Sequence, residues 1–307
     1  MTPTEFKKKI IELKKEKNAV ILAHYYVDKD IQEIADEVGD SFYLSKTAKN
    51  CKENTIVFCG VNFMAESAKI LSPEKKVLIP VNNAFCPMAN MVDEEGILSM
   101  KEKHPDAKVV CYVNSTAEVK AVSDICCTSS NAVKIVNNLD ADKIIFVPDK
   151  NLGSYVAEQV KDKEIILWDG YCWVHDEVTE ERLLKVQAES LKNDEKVATL
   201  VHPECRKNIR DKADFVGSTG QIIAFAGKAD YDKYIIVTEG GIKHKLTEKY
   251  PEKEFIFVPL MHCFTMKKII LENLYECLNE EKFEVNLDEK VINKASHSLQ
   301  NMLKLGK

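Results

Sequence analysis

The sequence predicts an α/β protein: three homologous three-layer α/β/α domains with short parallel sheets, arranged around a pseudo-threefold axis. Three observations predict it. Apolar runs of strand length, rich in β-branched residues, alternate with helix-spaced segments along all 307 residues. Polar, chemistry-bearing residues follow those runs at fixed offsets. The offsets recur: Tyr112 lies 88 residues after His24, and His202 lies 90 after Tyr112.

A first set of strands is predicted over residues 19–26 (AVILAHYY), 108–114 (KVVCYVN) and 196–204 (KVATLVHPE). A second covers 55–60, 143–148 and 234–239, and a third 76–80, 164–169 and 254–259. Helices are predicted between them, as over 64–70 and 152–160, and before each first strand, over 4–17, 88–104 and 177–191. Strands alternating with helices imply parallel sheets with right-handed crossovers.

Seventeen residues after His24, Tyr112 and His202 stand the hydroxyls Ser41, Ser129 and Thr219. Just past each third strand stands a cysteine: Cys86, Cys172 and Cys263. One period shared by strands, hydroxyls and cysteines is the mark of internal duplication. The predicted units are 1–87, 88–173 and 174–263, with helices in 264–307 packing back on the first.

Net charge is −6 and no Lys/Arg block stands apart, which excludes strong non-specific nucleic-acid binding. No run approaches the roughly 18 apolar residues of a membrane span, and residues 1–27 lack a signal-peptide pattern. A soluble cytoplasmic protein is expected. There, the ten cysteines are core residues, ligands or reactive thiols rather than disulfides. Cys59 and Cys111 lie in apolar runs and read as core; Cys126, Cys127 and Cys205 read as packing.

Ligands of open parallel sheets bind beyond the carboxyl ends of the strands. Three units with these ends inward turn equivalent residues into a ring, so Cys86, Cys172 and Cys263 aim at one point. Soft thiolates select zinc, copper(I) or an iron–sulfur cluster. Structural zinc wants four ligands, usually in close pairs, and the chain has no C-x-x-C. A [4Fe–4S] cluster suits three cysteines and leaves one iron open to act as a Lewis acid.

An ordered set of motifs resembles the quinolinate synthase family: AHYY (23–26), GDS (39–41), GVNFMAESA (60–68), NNAFCPMA around Cys86, YVN (112–114), PDKNLG (148–153), GYCWVH (170–175), HPEC (202–205), GST (217–219) and HCFTMKK around Cys263. The resemblance spans nearly the whole chain. It implies a triplicated fold with a three-cysteine [4Fe–4S] cluster at its centre. It also implies condensation of iminoaspartate with dihydroxyacetone phosphate to quinolinate, releasing phosphate and water, in NAD synthesis. The enzyme that oxidises L-aspartate to iminoaspartate is the implied partner. The C-x-x-C that some members carry near the C-terminus is absent.

That chemistry needs anions held and protons moved. Ser41, Ser129, Thr219 and Asn114 are neutral donors suited to carboxylate or phosphate, the hydroxyls being expected at helix N-termini. Glu204 and His202 are the acid–base candidates, with Tyr26 a further proton donor and Tyr112 a clamp. His24 is expected on a substrate carboxylate, and Val113 and Pro203 complete the substrate-binding set implied by the resemblance. His175, three residues past Cys172, is a candidate support for the cluster; His262 and Cys205 are left without a role. Loops 61–63, 149–151 and 240–243 are candidates to close over substrate. P-loop, G-x-G-x-x-G, H-E-x-x-H and C-x-x-x-C-x-x-C motifs are all missing. A cluster-binding sensor and a hydro-lyase are the alternatives, the sensor lacking any basic DNA-reading element.

Overall fold

The computed structural model describes residues 1–190, 196–228 and 230–306. The last residue of the helix expected over 177–191 lies outside them, as does position 307.

The first unit runs α1 (Pro3–Glu16), β1 (Ala19–His24), α2 (Lys29–Gln32), β2 (Glu37–Gly39), α3 (Ser41–Asn50), β3 (Thr55–Cys59), α4 (Asn62–Leu71) and β4 (Lys76–Leu78). A 3₁₀ turn, Pro87–Asn90, leads into the second: α5 (Glu94–Lys103), β5 (Lys108–Tyr112), α6 (Ala117–Ala121), β6 (Ile125–Cys127), α7 (Ala132–Asn138), β7 (Lys143–Val147), α8 (Lys150–Gln159) and β8 (Glu164–Leu167). The third comprises α9 (Trp173–Asp176), α10 (Glu180–Ser190), β9 (Val197–Val201), α11 (Lys207–Arg210), β10 (Phe215–Val216), α12 (Thr219–Lys228), β11 (Lys233–Val237), α13 (Ile242–Lys249) and β12 (Glu254–Phe257). The chain ends in α14 (Leu271–Glu280) and α15 (Glu289–Leu305).

Each unit builds the same four-stranded parallel sheet, in the orders β2-β1-β3-β4, β6-β5-β7-β8 and β10-β9-β11-β12. All nine expected strands are present. Sequence reasoning missed the edge strands β2, β6 and β10, which have two or three residues; β4 is as short but lies in the apolar run KVLIP. The central strands are apolar almost without interruption because both faces are covered; β1 is buried at every position. Register is set equivalently: Ala23 pairs with Cys59, Cys111 with Val147, and Val201 with Val237. The next residues, His24, Tyr112 and His202, therefore reach corresponding heights in their sheets.

The helix expected over 88–104 is divided by Asp93, whose side chain caps α5 by accepting the Gly96 N–H. Of the C-terminal helices, α14 packs on α1, whereas α15 lies mainly on α6 and β6 of the second unit and also touches α4. The inner face of α15 carries Ala295, Ser298, Leu299, Met302 and Leu303, a helical apolar stripe. Ser298 Oγ donates to the Lys120 carbonyl at 2.8 Å, which anchors that stripe on α6. Among the described residues no helix is long and apolar enough to cross a membrane.

Candidate active site

The three first strands end in related turns. After β1 the His24 carbonyl accepts the Val27 N–H at 3.1 Å, and after β9 the His202 carbonyl accepts the Cys205 N–H at 3.0 Å. After β5 the Tyr112 carbonyl accepts instead from the Ser115 hydroxyl at 2.8 Å. The third residue of each turn is Tyr26, Asn114 or Glu204, and all three line one central cavity. Within two turns the imidazole is fixed as well: Tyr26 N–H donates to His24 Nδ1 at 3.3 Å, and Glu204 N–H to His202 Nδ1 at 3.4 Å. An accepting Nδ1 leaves the proton of the neutral ring on Nε2.

Glu204 is the charged centre. Its Oε2 lies 2.7 Å from His175 Nδ1, and its Oε1 is buried with no hydrogen-bond partner. Burial works to raise its pKa, but the adjoining His175 and His202 rings, the first of them bonded to Oε2, outweigh burial and bring it down to about 2. Burial pushes His24 and His202 down to about 3, so both stay neutral. Burial also raises Tyr26 and Tyr112 well above the usual phenol value, which keeps their hydroxyls protonated.

Hydrogen bonds join the units around this centre. Tyr26 Oη lies 2.8 Å from Thr219 Oγ1 and 3.2 Å from Thr238 Oγ1. Thr238 Oγ1 in turn lies 2.9 Å from His175 Nε2, and the His175 and His202 rings stack at 4.5 Å. A continuous polar path thus runs from Thr219 through Tyr26, Thr238 and His175 to Glu204.

Cys86, Cys172 and Cys263 line the same cavity, unpaired and partly buried. Burial raises Cys86 to about 12 and lifts Cys172 and Cys263 as well, and the three thiols lie within electrostatic reach of one another. Buried soft thiols gathered on one cavity are the kind of donor that a metal can use as thiolates. Cys172 also belongs to a tighter group. With His175 and Glu204 it brings a thiol, a ring nitrogen and a carboxylate oxygen within 4.8 Å of one another, a donor set able to hold a metal ion.

The cavity gathers His24, Tyr26, Ser41, Tyr112, Asn114, Ser129, His202, Glu204 and Thr219 with the cysteines. Ser41 and Thr219 are the first residues of α3 and α12, whereas Ser129 lies in the turn before α7. Asn114 presents a second buried, unpartnered oxygen, Oδ1. Val113 and Pro203 do not line the cavity; the Val113 N–H instead extends the sheet by bonding Cys127 O at 2.9 Å. His262 is exposed, and Cys205 is fully buried away from the cavity. Sequence reasoning left His175 open, and the structure puts it between Cys172 Sγ, at 3.3 Å, and Glu204. It gave Thr238 and Glu239 no role, and it placed Asp149 only in a motif and in a loop expected to close over substrate. Their common signal was position: each stands one or two residues past a second strand.

A triplicated parallel α/β fold whose strand ends enclose a buried acid–base centre beside three thiols defines an enzyme. The family model described as Quinolinate synthetase A protein matches residues 8–304. Quinolinate synthase of Clostridium novyi (strain NT) is 56% identical over 298 residues, covering 97% of this chain and 98% of that protein. The Clostridium perfringens (strain SM101 / Type A) protein of the same name is 55% identical over 304 residues, 98% of this chain and 99% of its own. That of Caldicellulosiruptor saccharolyticus is 53% identical over 302 residues, 98% of each. The chain belongs to the quinolinate synthase family.

Proposed function

We propose that this chain condenses iminoaspartate with dihydroxyacetone phosphate to quinolinate, releasing phosphate and water, in de novo NAD biosynthesis in the cytoplasm. Cys86, Cys172 and Cys263 would hold a [4Fe–4S] cluster. The observation that carries this reading is the meeting of three thiols with two unpartnered buried oxygens, of Glu204 and Asn114, on one cavity. When bound, the cluster supplies a Lewis-acidic iron with an open coordination position.

The side chains divide the remaining work. His24 and His202 offer Nε2–H groups to the carboxylates of iminoaspartate. Ser41 and Thr219, at the N-termini of α3 and α12, offer hydroxyls to phosphate or carboxylate oxygens where the helix dipole favours an anion. Ser129 and Asn114 add neutral donors from the second unit. Glu204, ionised and with Oε1 free, is the base that takes protons as water is lost, and His175 holds its other oxygen. Tyr26 and Tyr112 are protonated donors on the same cavity. The two substrates are small molecules, and an L-aspartate-oxidising enzyme is the partner that would supply the imine.

The test is anaerobic purification, iron and sulfide analysis, and assay with both substrates. About four irons are expected, lost in each of the Cys86→Ala, Cys172→Ala and Cys263→Ala variants, together with quinolinate formation. A chain without iron or quinolinate overturns the proposal. A second reading, a single metal ion held by Cys172, His175 and Glu204, is favoured by their mutual closeness. One metal per chain, lost in His175→Ala but retained in Cys86→Ala, would select it.

A further inference from the structure

The three cysteine-bearing loops are not held alike. Asp149 stands two residues past β7 and Glu239 two residues past β11, and both are fully buried at 0% exposure. Asp149 Oδ2 accepts the Cys172 N–H at 3.0 Å, while Oδ1 accepts the Leu152 N–H at 2.7 Å. Glu239 Oε1 accepts the Cys263 N–H at 3.2 Å, while Oε2 accepts the Gly241 N–H at 2.6 Å. The same position in the first unit, two residues past β3, is Val61. There Asn62 fastens the loop upstream of the cysteine, donating its N–H to Ala84 O and its side-chain amide to Asn82 O. Among the described residues no carboxylate bonds the Cys86 N–H.

An ordinary explanation covers half of this. Asp149 is the N-cap of α8, and helix caps commonly carry Asp. Yet one carboxylate oxygen suffices for a cap, and Glu239 caps no helix with its side chain. What the two acids share is a second oxygen committed to the backbone of a cysteine. A cysteine whose N–H is bound to a buried carboxylate has its peptide plane fixed, and with it the direction of its Cα–Cβ bond.

We infer that Asp149 and Glu239 are positioning residues for Cys172 and Cys263, and that Cys86 is the one thiol of the three without such a clamp. The inference rests on the proposed reading of these cysteines as cluster ligands. Two ligands then stay in place whether or not the metal is bound, and the Cys86 loop adjusts to it. Cluster loss starts at Cys86.

The test follows each thiol separately. Anaerobically purified protein is treated with EDTA and iodoacetamide, and alkylation at the three cysteines is timed by peptide mass spectrometry. Wild type should be alkylated first at Cys86. Asp149→Ser keeps a short hydroxyl cap for α8 but cannot reach Cys172; it should speed alkylation of Cys172 about tenfold relative to Cys263. Glu239→Gln, which sets a donor against one of two N–H groups, should speed Cys263 relative to Cys172 by a similar factor. Neither should change the rate at Cys86. Equal acceleration of all three thiols, or of none, overturns the inference. If the protein binds no iron, the cluster reading fails, and the same site-specific pattern read on the metal-free chain still decides the clamp. Should Glu239→Gln not fold, as judged by circular dichroism, Glu239→Asp draws the carboxylate back by one methylene and carries the same expectation.

Discussion

The turn that closes β1 and the turn that closes β9 are built alike and act differently. In each, the first carbonyl accepts an N–H three residues on, and the histidine Nδ1 accepts one two residues on. The third residue is Tyr26 in one and Glu204 in the other. Tyr26 reaches across to Thr219 and Thr238 of the third unit as a neutral hydroxyl. Glu204 carries a buried charge held by His175. Duplication supplied the geometry, and the side chain at the third position supplied the chemistry. A carboxylate at every third position would crowd like charges into one cavity and raise their pKa values against each other. The arrangement of one acid, one phenol and one amide avoids that.

Breaking the charged side of this comparison should have the largest effect. Glu204→Gln keeps the shape and an acceptor but loses the base, so quinolinate formation should fall by roughly 10²–10⁴-fold while the fold and any iron are retained. A loss of only a few-fold would mean that another group takes the protons. Breaking the neutral side should cost less. Tyr26→Phe keeps the ring against His24 but removes the link between Thr219 and Thr238, and one hydrogen bond is worth about tenfold in rate. Equal losses in the two variants, measured side by side, would erase the distinction between the turns.

Much of this was legible in the sequence, and the exceptions have physical causes. The nine expected strands announced themselves as β-branched runs, and the recurring offsets led to Ser41, Ser129, Thr219 and the three cysteines. The β2, β6 and β10 edges carry few residues and were not read as separate strands. His175 could be guessed from its distance to Cys172, but its contact with Glu204 arises only when two sequence segments meet. The part played by Asp149 and Glu239 was invisible for a different reason. A buried acid bonding backbone N–H groups looks, in sequence, like any other acid after a strand.

The two histidines make the turns alike in acid. Burial holds both near pKa 3, below the value of about 6.5 expected when unfolded. Between those values the unfolded chain binds protons that the native chain refuses, so stability falls as pH drops from about 6.5 toward 3. Urea unfolding at pH 7 and pH 5 should show this decline, and His24→Gln should make it shallower. The paired Glu204, lowered to about 2, adds to the loss at the acid end, because its stabilisation fades only as pH falls below the unfolded carboxylate value. An unchanged slope in His24→Gln would show that folding leaves the His24 pKa where it was in the unfolded chain.

The smallest effect is expected at the second position of the turns, where Tyr25 and Pro203 differ most in kind and matter least for geometry. Pro203 presets its own backbone for the second position of a turn and restricts the unfolded chain. It donates no hydrogen bond, and the contacts that shape the turn belong to His202, Glu204 and Cys205. Pro203→Ala should therefore lower stability by only about 0.4–1 kcal/mol and leave quinolinate formation nearly unchanged. The first unit already builds the same turn with Tyr25 in that place, which is why the backbone should tolerate the change. If Pro203→Ala instead lost as much activity as Glu204→Gln, the charge on Glu204 would depend on a rigid turn to aim it. The likeness of the two turns would then be only superficial.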